Sequence, residues 1–167
     1  FHFETNKAKI YADMDAIKLG VILDNLLSNA VKFTPDGGSV RLSLFYREET
    51  GLLDICVSDT GSGIPQQDIP YIFQRFFQSP HSGNKEGTGI GLYLVKTYTE
   101  LHGGHINGVT SNEGKGTSIG LNIPVIAVEK EEIPATQVKK QLESLPVLKP
   151  IEAESQDEKF LSNIIRL

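Results

Sequence analysis

Three short clusters in this 167-residue chain combine residue types and spacings that could do chemistry. The first contains Asn25, Asn29 and Lys32, which fall on one face if the segment is helical. An amide oxygen is a hard ligand that suits Mg²⁺, and a lysine ammonium is a mobile positive charge for a phosphate. A solvated polar face near a helix end is the alternative interpretation of the same three residues.

The second cluster is an aspartate with two glycines, Asp59-x-Gly61-x-Gly63, directly after an apolar segment. Glycines let the backbone approach a flat ligand closely. In an enclosed site the carboxylate can accept a hydrogen bond from an exocyclic amine, and losing such a partner costs about 1–3 kcal/mol. An ordinary Asp-x-Gly turn is the alternative.

The third cluster is the glycine-rich run at residues 87–92, which opens a predicted helix. Free N–H groups and the helix dipole at such a start attract phosphate. The run is not a Walker A motif, because no Gly-Lys-Ser/Thr ends it. It is not the dinucleotide fingerprint either, because Leu92 stands where that pattern needs glycine.

Hydrophobic periodicity predicts the elements that carry these clusters. Asp13 or Asp15 can cap a helix that runs to about residue 33. The other predicted helices cover residues 67–72 and 89–101, and the predicted strands cover residues 9–12, 40–46, 52–58, 105–110 and 117–123. This order indicates an α+β fold, a two-layer sandwich in which a mixed sheet of about five strands carries about three helices on one face.

Composition excludes several classes of protein. The net charge of −5 argues against a domain that binds the phosphate backbone of nucleic acid. A single cysteine, Cys56, excludes an internal disulfide, and no apolar run is long enough to span a bilayer. The composition changes after Pro124, so we expect one domain over residues 1–124. Residues 125–167 then form a linker or partly helical tail that leads towards a further domain.

Taken together and in this order, the clusters resemble the N, G1 and G2 boxes of the ATP-binding catalytic domain of sensor histidine kinases. That domain belongs to a superfamily shared with DNA gyrase, Hsp90 and MutL. Residues 25–34 resemble the N box, 59–65 the G1 box and 87–92 the G2 box, while 72–77 resemble the F box. Residues 114–117 resemble a closing turn of the same fold. The resemblance covers residues 1 to about 124 and implies the Bergerat type of sandwich.

The resemblance implies that the cofactors are ATP and Mg²⁺. Asn29 would bind the metal with help from Asn25, and Asp59 would take the adenine amino group. The implied ATP-binding set is Asn25, Asn29, Lys32, Phe33, Asp59, Gly61, Gly63, Ile64, Gly87, Thr88, Gly89, Ile90, Gly91, Leu92 and Thr117. Arg75 and Lys85 are candidate γ-phosphate contacts, the latter in a lid at about residues 78–86.

The resemblance also implies a protein-histidine kinase of a two-component system, in which a separate dimerisation domain of the same protein supplies the histidine. None of the four histidines here is followed by Glu or Asp on a predicted helix, so we expect the acceptor to lie outside this chain. The implied partners are that domain, a response regulator receiver domain and a second copy in a full-length homodimer, with no direct nucleic acid contact. The implied location is the cytoplasmic side of an inner-membrane sensor protein.

Three rival functions stay open at this point. ATP hydrolysers of the superfamily carry a glutamate where this chain has Asn25, and an amide cannot act as a general base; a hydrolysis assay would decide. A serine kinase of the anti-sigma type shares the fold but lacks the full F box and the long lid. The third is a nucleotide-binding module without catalytic activity. Transfer of phosphate to a supplied acceptor domain would exclude it.

Overall fold

A five-stranded mixed sheet organises the protein, whose structure, a computed structural model, describes residues 1–80 and 87–127. The sheet order is β1-β3-β4-β6-β5, with β1 parallel to β3 and the other pairs antiparallel. A separate antiparallel ladder joins β2 to β7. The strands are β1 His2–Thr5, β2 Ala12–Asp13, β3 Val40–Arg47, β4 Leu52–Asp59, β5 His105–Asn112, β6 Gly116–Pro124 and β7 Ile126–Ala127.

Two α-helices lie in the described part of the chain, α1 over Ala16–Phe33 and α2 over Gly91–Leu101. Asp15 is the N-cap of α1, because its side chain accepts the Lys18 N–H. The short helix predicted over residues 67–72 is instead a 3₁₀ helix over Ile69–Tyr71. The α+β prediction is confirmed, with this 3₁₀ turn in place of a third α-helix.

The apolar side chains of alternate strand residues form the core beneath the helices. Leu42, Ile55, Leu121 and Ile123 are at most 1% exposed, and Ile22 of α1, the helix that packs on β3 and β4, is fully buried. The intervening residues of the central strands point to the other side of the sheet, which we call the open face.

Hydroxyl and thiol groups bond to one another on this open face. Ser58 donates to Ser118 at 2.9 Å, and the Cys56 thiol lies 3.3 Å from the Ser118 hydroxyl. Cys56 is therefore on the side of the sheet away from α1.

Two predicted boundaries are wrong. The strand predicted at residues 9–12 is reduced to β2, at Ala12–Asp13, and residues 9–11 are not in a strand. The edge strand of the five-stranded sheet is β1, at His2–Thr5. The Asn6 side chain continues the β1 pairing by bonding both the N–H and the carbonyl of Tyr46. Helix α2 starts at Gly91 and not at Gly89, because Gly89 has φ +67°, which no right-handed helix accommodates.

Residues 1–127 form a single unit of contacts, and the segment after β6 belongs to it. Val125 is 5% exposed, and its N–H donates to the carbonyl of Gly51. The predicted tail lies mostly at residues 128–167, outside the described residues. Within the described ranges, no helix has the length and apolarity needed to cross a membrane.

Candidate functional site

One cavity of about 440 Å³ collects most of the residues singled out in the sequence. Its walls come from α1, from the ends of β4 and β6 and from the glycine loop before α2. Its volume lies in the range of about 300–1,000 Å³ that is usual for small-molecule sites. The predicted residues that line it are Asn25, Asn29, Lys32, Phe33, Asp59, Gly63, Ile64, Gly87, Thr88, Gly89, Gly91, Leu92 and Thr117.

Asp59 ends β4 at the wall of this cavity, and two backbone groups fix its carboxylate. Its Oδ1 accepts the N–H of Gly61 at 2.8 Å and the N–H of Thr117 at 3.2 Å. Its Oδ2 has no hydrogen bond with any residue in the described ranges, so it remains for a donor on a ligand. Burial raises the pKa of Asp59, and the two N–H bonds offset part of that rise.

The loop after Asp59 packs its backbone tightly against β5. Gly63 has φ +73°, and a Cβ there would lie 2.0 Å from the carbonyl oxygen of Asn112. The next N–H, of Ile64, donates to the Ser111 hydroxyl at 2.7 Å. Only glycine permits this approach, so the sequence Gly61-x-Gly63 is needed to shape the cavity wall.

The polar face of α1 forms the opposite wall. The Asn25 amide donates to the Val21 carbonyl at 2.8 Å, and its Oδ1 lies towards the start of α2, where a Cβ on Gly91 would meet it at 2.5 Å. The Asn29 amide has no hydrogen bond with any residue that the structure describes. Asn29 is therefore the amide on this face that is available to a ligand.

The end of α1 brings a positive charge to the glycine loop. The Lys32 Nζ lies 5.2 Å from the centre of the Phe33 ring and within 3.2 Å of the position that a Cβ on Gly87 would occupy. This lysine can neutralise an anion held beside the loop.

Helix α2 presents its N-terminus to the same cavity. Its N-cap residue, Ile90, makes no side-chain capping bond, so first-turn N–H groups remain for an acceptor. The loop before it is braced from outside, because the Phe76 N–H donates to the Gly89 carbonyl at 2.8 Å. Such a helix start favours phosphate or carboxylate groups.

Three predicted site residues do not line the cavity, and a fourth falls outside the described part of the chain. Gly61, whose N–H donates to Asp59, and Ile90, the N-cap residue of α2, are not among the described residues that line the cavity. Arg75 does not line it either, because its guanidinium lies 4.6 Å from the centre of the Phe76 ring. Lys85 lies outside the described residues.

The sequence analysis missed several lining and supporting residues. Phe77, in the segment that resembles the F box, lines the cavity, as do Ser62 and Glu113. Ser111, which is 3% exposed, supports the wall from behind. The one available signal for Ser111 was a polar residue at a strand position that faces the core.

The donor chemistry of the cavity fits magnesium bound together with a phosphate ligand. The described residues contain no cluster of three or more His, Cys, Asp or Glu that would hold a metal by themselves. Mg²⁺ usually takes only one or two protein oxygens and completes its octahedron with phosphates and waters. Asn29 can supply one such oxygen.

Residues 14–127 match the family of histidine kinase-, DNA gyrase B- and HSP90-like ATPases. The chain belongs to this family. The predicted histidine kinase ATP-binding domain is confirmed by its relatives, among them sensor histidine kinase WalK of Bacillus subtilis. That protein is 41% identical over 117 residues, which are 69% of this chain and 19% of WalK.

Solved structures of histidine kinases have the same fold. The mycobacterial sensor histidine kinase MprB is 31% identical with a TM-score of 0.66, over 76% of this chain and 85% of that one. Full-length ShkA in complex with AMPPNP is 28% identical with a TM-score of 0.65, over 77% of this chain and 26% of that one. The chain spans 19% of WalK and 12% of TmoS of Ectopseudomonas mendocina, which are both named as sensor histidine kinases.

Proposed function

We propose that this domain binds Mg-ATP and donates the γ-phosphate to a histidine on a separate dimerisation domain of the same protein. The observation that carries the proposal is that Asn29 and Asp59 line one cavity. A carboxylate that can accept from a base amine thus shares an enclosed space with an amide that can ligate a metal.

The base end of the cavity supports adenine as the purine. The free Oδ2 of Asp59 accepts hydrogen bonds and cannot donate them when the carboxyl is ionised. Adenine offers an exocyclic amine to such a group. The structure of the related ShkA in complex with AMPPNP supports an adenine nucleotide as the ligand.

The end of the cavity that would hold the phosphates is lined by Lys32, the Asn29 amide and the N-terminus of α2. Lys32, the α2 N-terminus and a magnesium ion held by Asn29 would neutralise the triphosphate. Phosphoryl transfer needs mostly positioning and charge neutralisation, so these groups suffice for transfer to an acceptor brought from outside. A bound magnesium ion supplies charge neutralisation at the phosphate oxygens.

The acceptor must come from another domain. His102 bonds the Tyr98 carbonyl through Nδ1, and His105 lies beside Asn122. Among the described histidines, none lines the cavity. The same proposal includes a response regulator receiver domain as the next partner, a homodimeric full-length protein and a cytoplasmic location.

Hydrolysis is the second candidate function, and Asn25 argues against it. Its amide has no useful basicity and donates to the Val21 carbonyl. We therefore expect slow steady-state ATP hydrolysis by this chain alone and phosphate transfer once a histidine-containing dimerisation domain is added. Fast hydrolysis without that domain would favour the ATPase, and binding without transfer would favour the module that lacks catalysis.

Calorimetric titration with a non-hydrolysable ATP analogue, with and without Mg²⁺, tests the binding step. Asp59→Asn should weaken binding at least about tenfold, because the base amine loses its anionic acceptor. Asn29→Ala should remove most of the affinity gained with Mg²⁺. Asp36→Asn, in an exposed turn, is the matched control and should bind as the parent does. Unchanged affinity in Asp59→Asn would contradict the proposed site.

A further inference from the structure

A buried serine joins the two loops that enclose the base end of the cavity. The Ser111 hydroxyl contacts the Ile64 N–H at 2.7 Å, the Gly116 carbonyl at 3.0 Å and the Thr117 hydroxyl at 2.9 Å. Ser111 is 3% exposed, so these partners replace water around it.

The number of donors and acceptors on a hydroxyl fixes the direction of these bonds. A serine hydroxyl has one proton to donate and two lone pairs that accept. The Ile64 N–H can only donate, so it occupies one lone pair. The Gly116 carbonyl can only accept, so it takes the proton. The Thr117 hydroxyl must then donate to the remaining lone pair if all three contacts are hydrogen bonds.

Thr117 consequently directs its proton away from the cavity that it lines. Its lone pairs remain on the cavity side, and its own N–H is bonded to Oδ1 of Asp59. The polar groups of this wall, the Asp59 carboxylate and the Thr117 hydroxyl, then both accept hydrogen bonds.

We propose that Ser111 is a positioning residue that selects the base: by holding the Thr117 hydroxyl as an acceptor, it makes the cavity favour a 6-amino purine over a 6-oxo purine. This inference rests on the proposed nucleotide-binding function. A 6-oxo group would present lone pairs, not N–H donors, to the two acceptors Asp59 and Thr117, and a buried acceptor without a donor is costly. Removing Ser111 frees the Thr117 proton to turn towards the cavity and to donate to such an oxygen.

The experiment measures the ratio of affinities for non-hydrolysable ATP and GTP analogues in the full chain by calorimetry. We expect the parent to prefer the adenine analogue and Ser111→Ala to lower that preference about tenfold. Ser111→Thr, which keeps a hydroxyl, should retain the preference of the parent for the adenine analogue. Ser118→Ala, which removes a serine hydroxyl from the open face, should leave the ratio unchanged.

Thr117→Val keeps the test usable if Ser111→Ala fails to fold. It removes the hydroxyl through which Ser111 acts, so the preference should fall in the single variant. It should fall no further in the double variant with Ser111→Ala, because the two changes remove one interaction.

The contrary outcomes separate this inference from the proposed function. A parent that binds neither analogue refutes both. A parent that binds both analogues equally leaves nucleotide binding standing and overturns the role of Ser111. An equal loss of both affinities in Ser111→Ala, with the ratio unchanged within about twofold, also overturns it, because a merely structural serine gives that result.

Discussion

At the scale of single residues, Asp59 is placed for binding at the expense of stability. Burial raises its pKa above the ordinary 3.8, so ionisation of this carboxyl group is less favourable in the folded chain than in the unfolded chain. Between pH 3.8 and the raised pKa, the folded state binds more protons than the unfolded state. The free energy of unfolding therefore falls as the pH rises through this window, and the loss is complete once the pH exceeds the raised pKa.

Asp59→Asn should consequently separate stability from binding. An asparagine Oδ1 can still accept the N–H groups of Gly61 and Thr117, and it carries no charge to desolvate. At pH 7 we expect the apo variant to have a melting temperature at or above that of the parent. Adding an ATP analogue should raise the melting temperature of the parent but not that of the variant. The stability difference should disappear below pH 3.8. Thermal unfolding of the apo protein at several pH values measures this, and a large drop at pH 7 would contradict it.

Sequence reasoning located most residues of the site because their types carry direct chemical information. An aspartate followed by spaced glycines, and two asparagines four residues apart, each had a structural alternative, but together and in this order they resemble a known nucleotide-binding set. Ser111 carries no such information, since its importance comes from pairing with Thr117 across β5 and β6. Arg75 shows the converse, because its charge suggested phosphate while its guanidinium stacks on Phe76.

At the scale of elements, the glycine loop depends on a strained neighbour. Phe76 has φ +65°, a conformation that costs a residue with a Cβ roughly 1–2 kcal/mol. Its N–H bond to the Gly89 carbonyl holds it there. A Cβ on Gly89 would lie 2.6 Å from the backbone carbon of Phe76, so the two segments fit only with glycine at 89.

Phe76→Gly and Phe76→Ala should therefore differ in stability. Both remove a ring that is 60% exposed, but only glycine adopts the positive φ without strain. We expect the glycine variant to be more stable by about 1 kcal/mol in urea unfolding. An alanine variant of equal or greater stability would show that Phe76 does not hold this conformation in solution.

Two glycine-to-alanine changes distinguish the N-terminus of α2 from the body of α1. A Cβ at Gly91 meets Asn25 Oδ1 at 2.5 Å, so Asn25 must move, and we expect weaker binding of an ATP analogue. A Cβ at Gly20 has open space within the helix, so Gly20→Ala should add about 0.5–1 kcal/mol of stability and leave binding unchanged. Calorimetry and urea unfolding of both variants check this, and tighter binding by Gly91→Ala would be the contrary result.

At the scale of the whole molecule, the two-layer fold followed from the order and the periodicity of its elements, whereas the pairing of distant segments did not. The helix of residues 16–33 and the strands β3 to β6 repeat apolar residues at helical or strand spacing. The partners of β1 and β7 lie far away in sequence, and short strands have too few residues to reveal their register. The C-terminal limit of the domain therefore stays a prediction, and measuring the stability of variants near that limit tests it.

Val125 provides that test, because it is buried just after the last strand of the sheet. Val125→Ala should lower the free energy of unfolding by about 1.5–2.5 kcal/mol, since it removes two buried methyl groups. Val31→Ala on α1 removes a side chain that is 63% exposed and should change the free energy of unfolding by less than about 0.5 kcal/mol. Equal, small effects would place Val125 outside the cooperatively folded unit.

The position of Cys56 has a practical consequence. It is the only thiol of the chain and lies on the open face, with the full thickness of the sheet between it and the cavity. A spectroscopic label attached there needs no cysteine-free background and cannot touch a ligand held against α1. A change in its signal on adding nucleotide would mean that occupancy alters the curvature of the strands themselves.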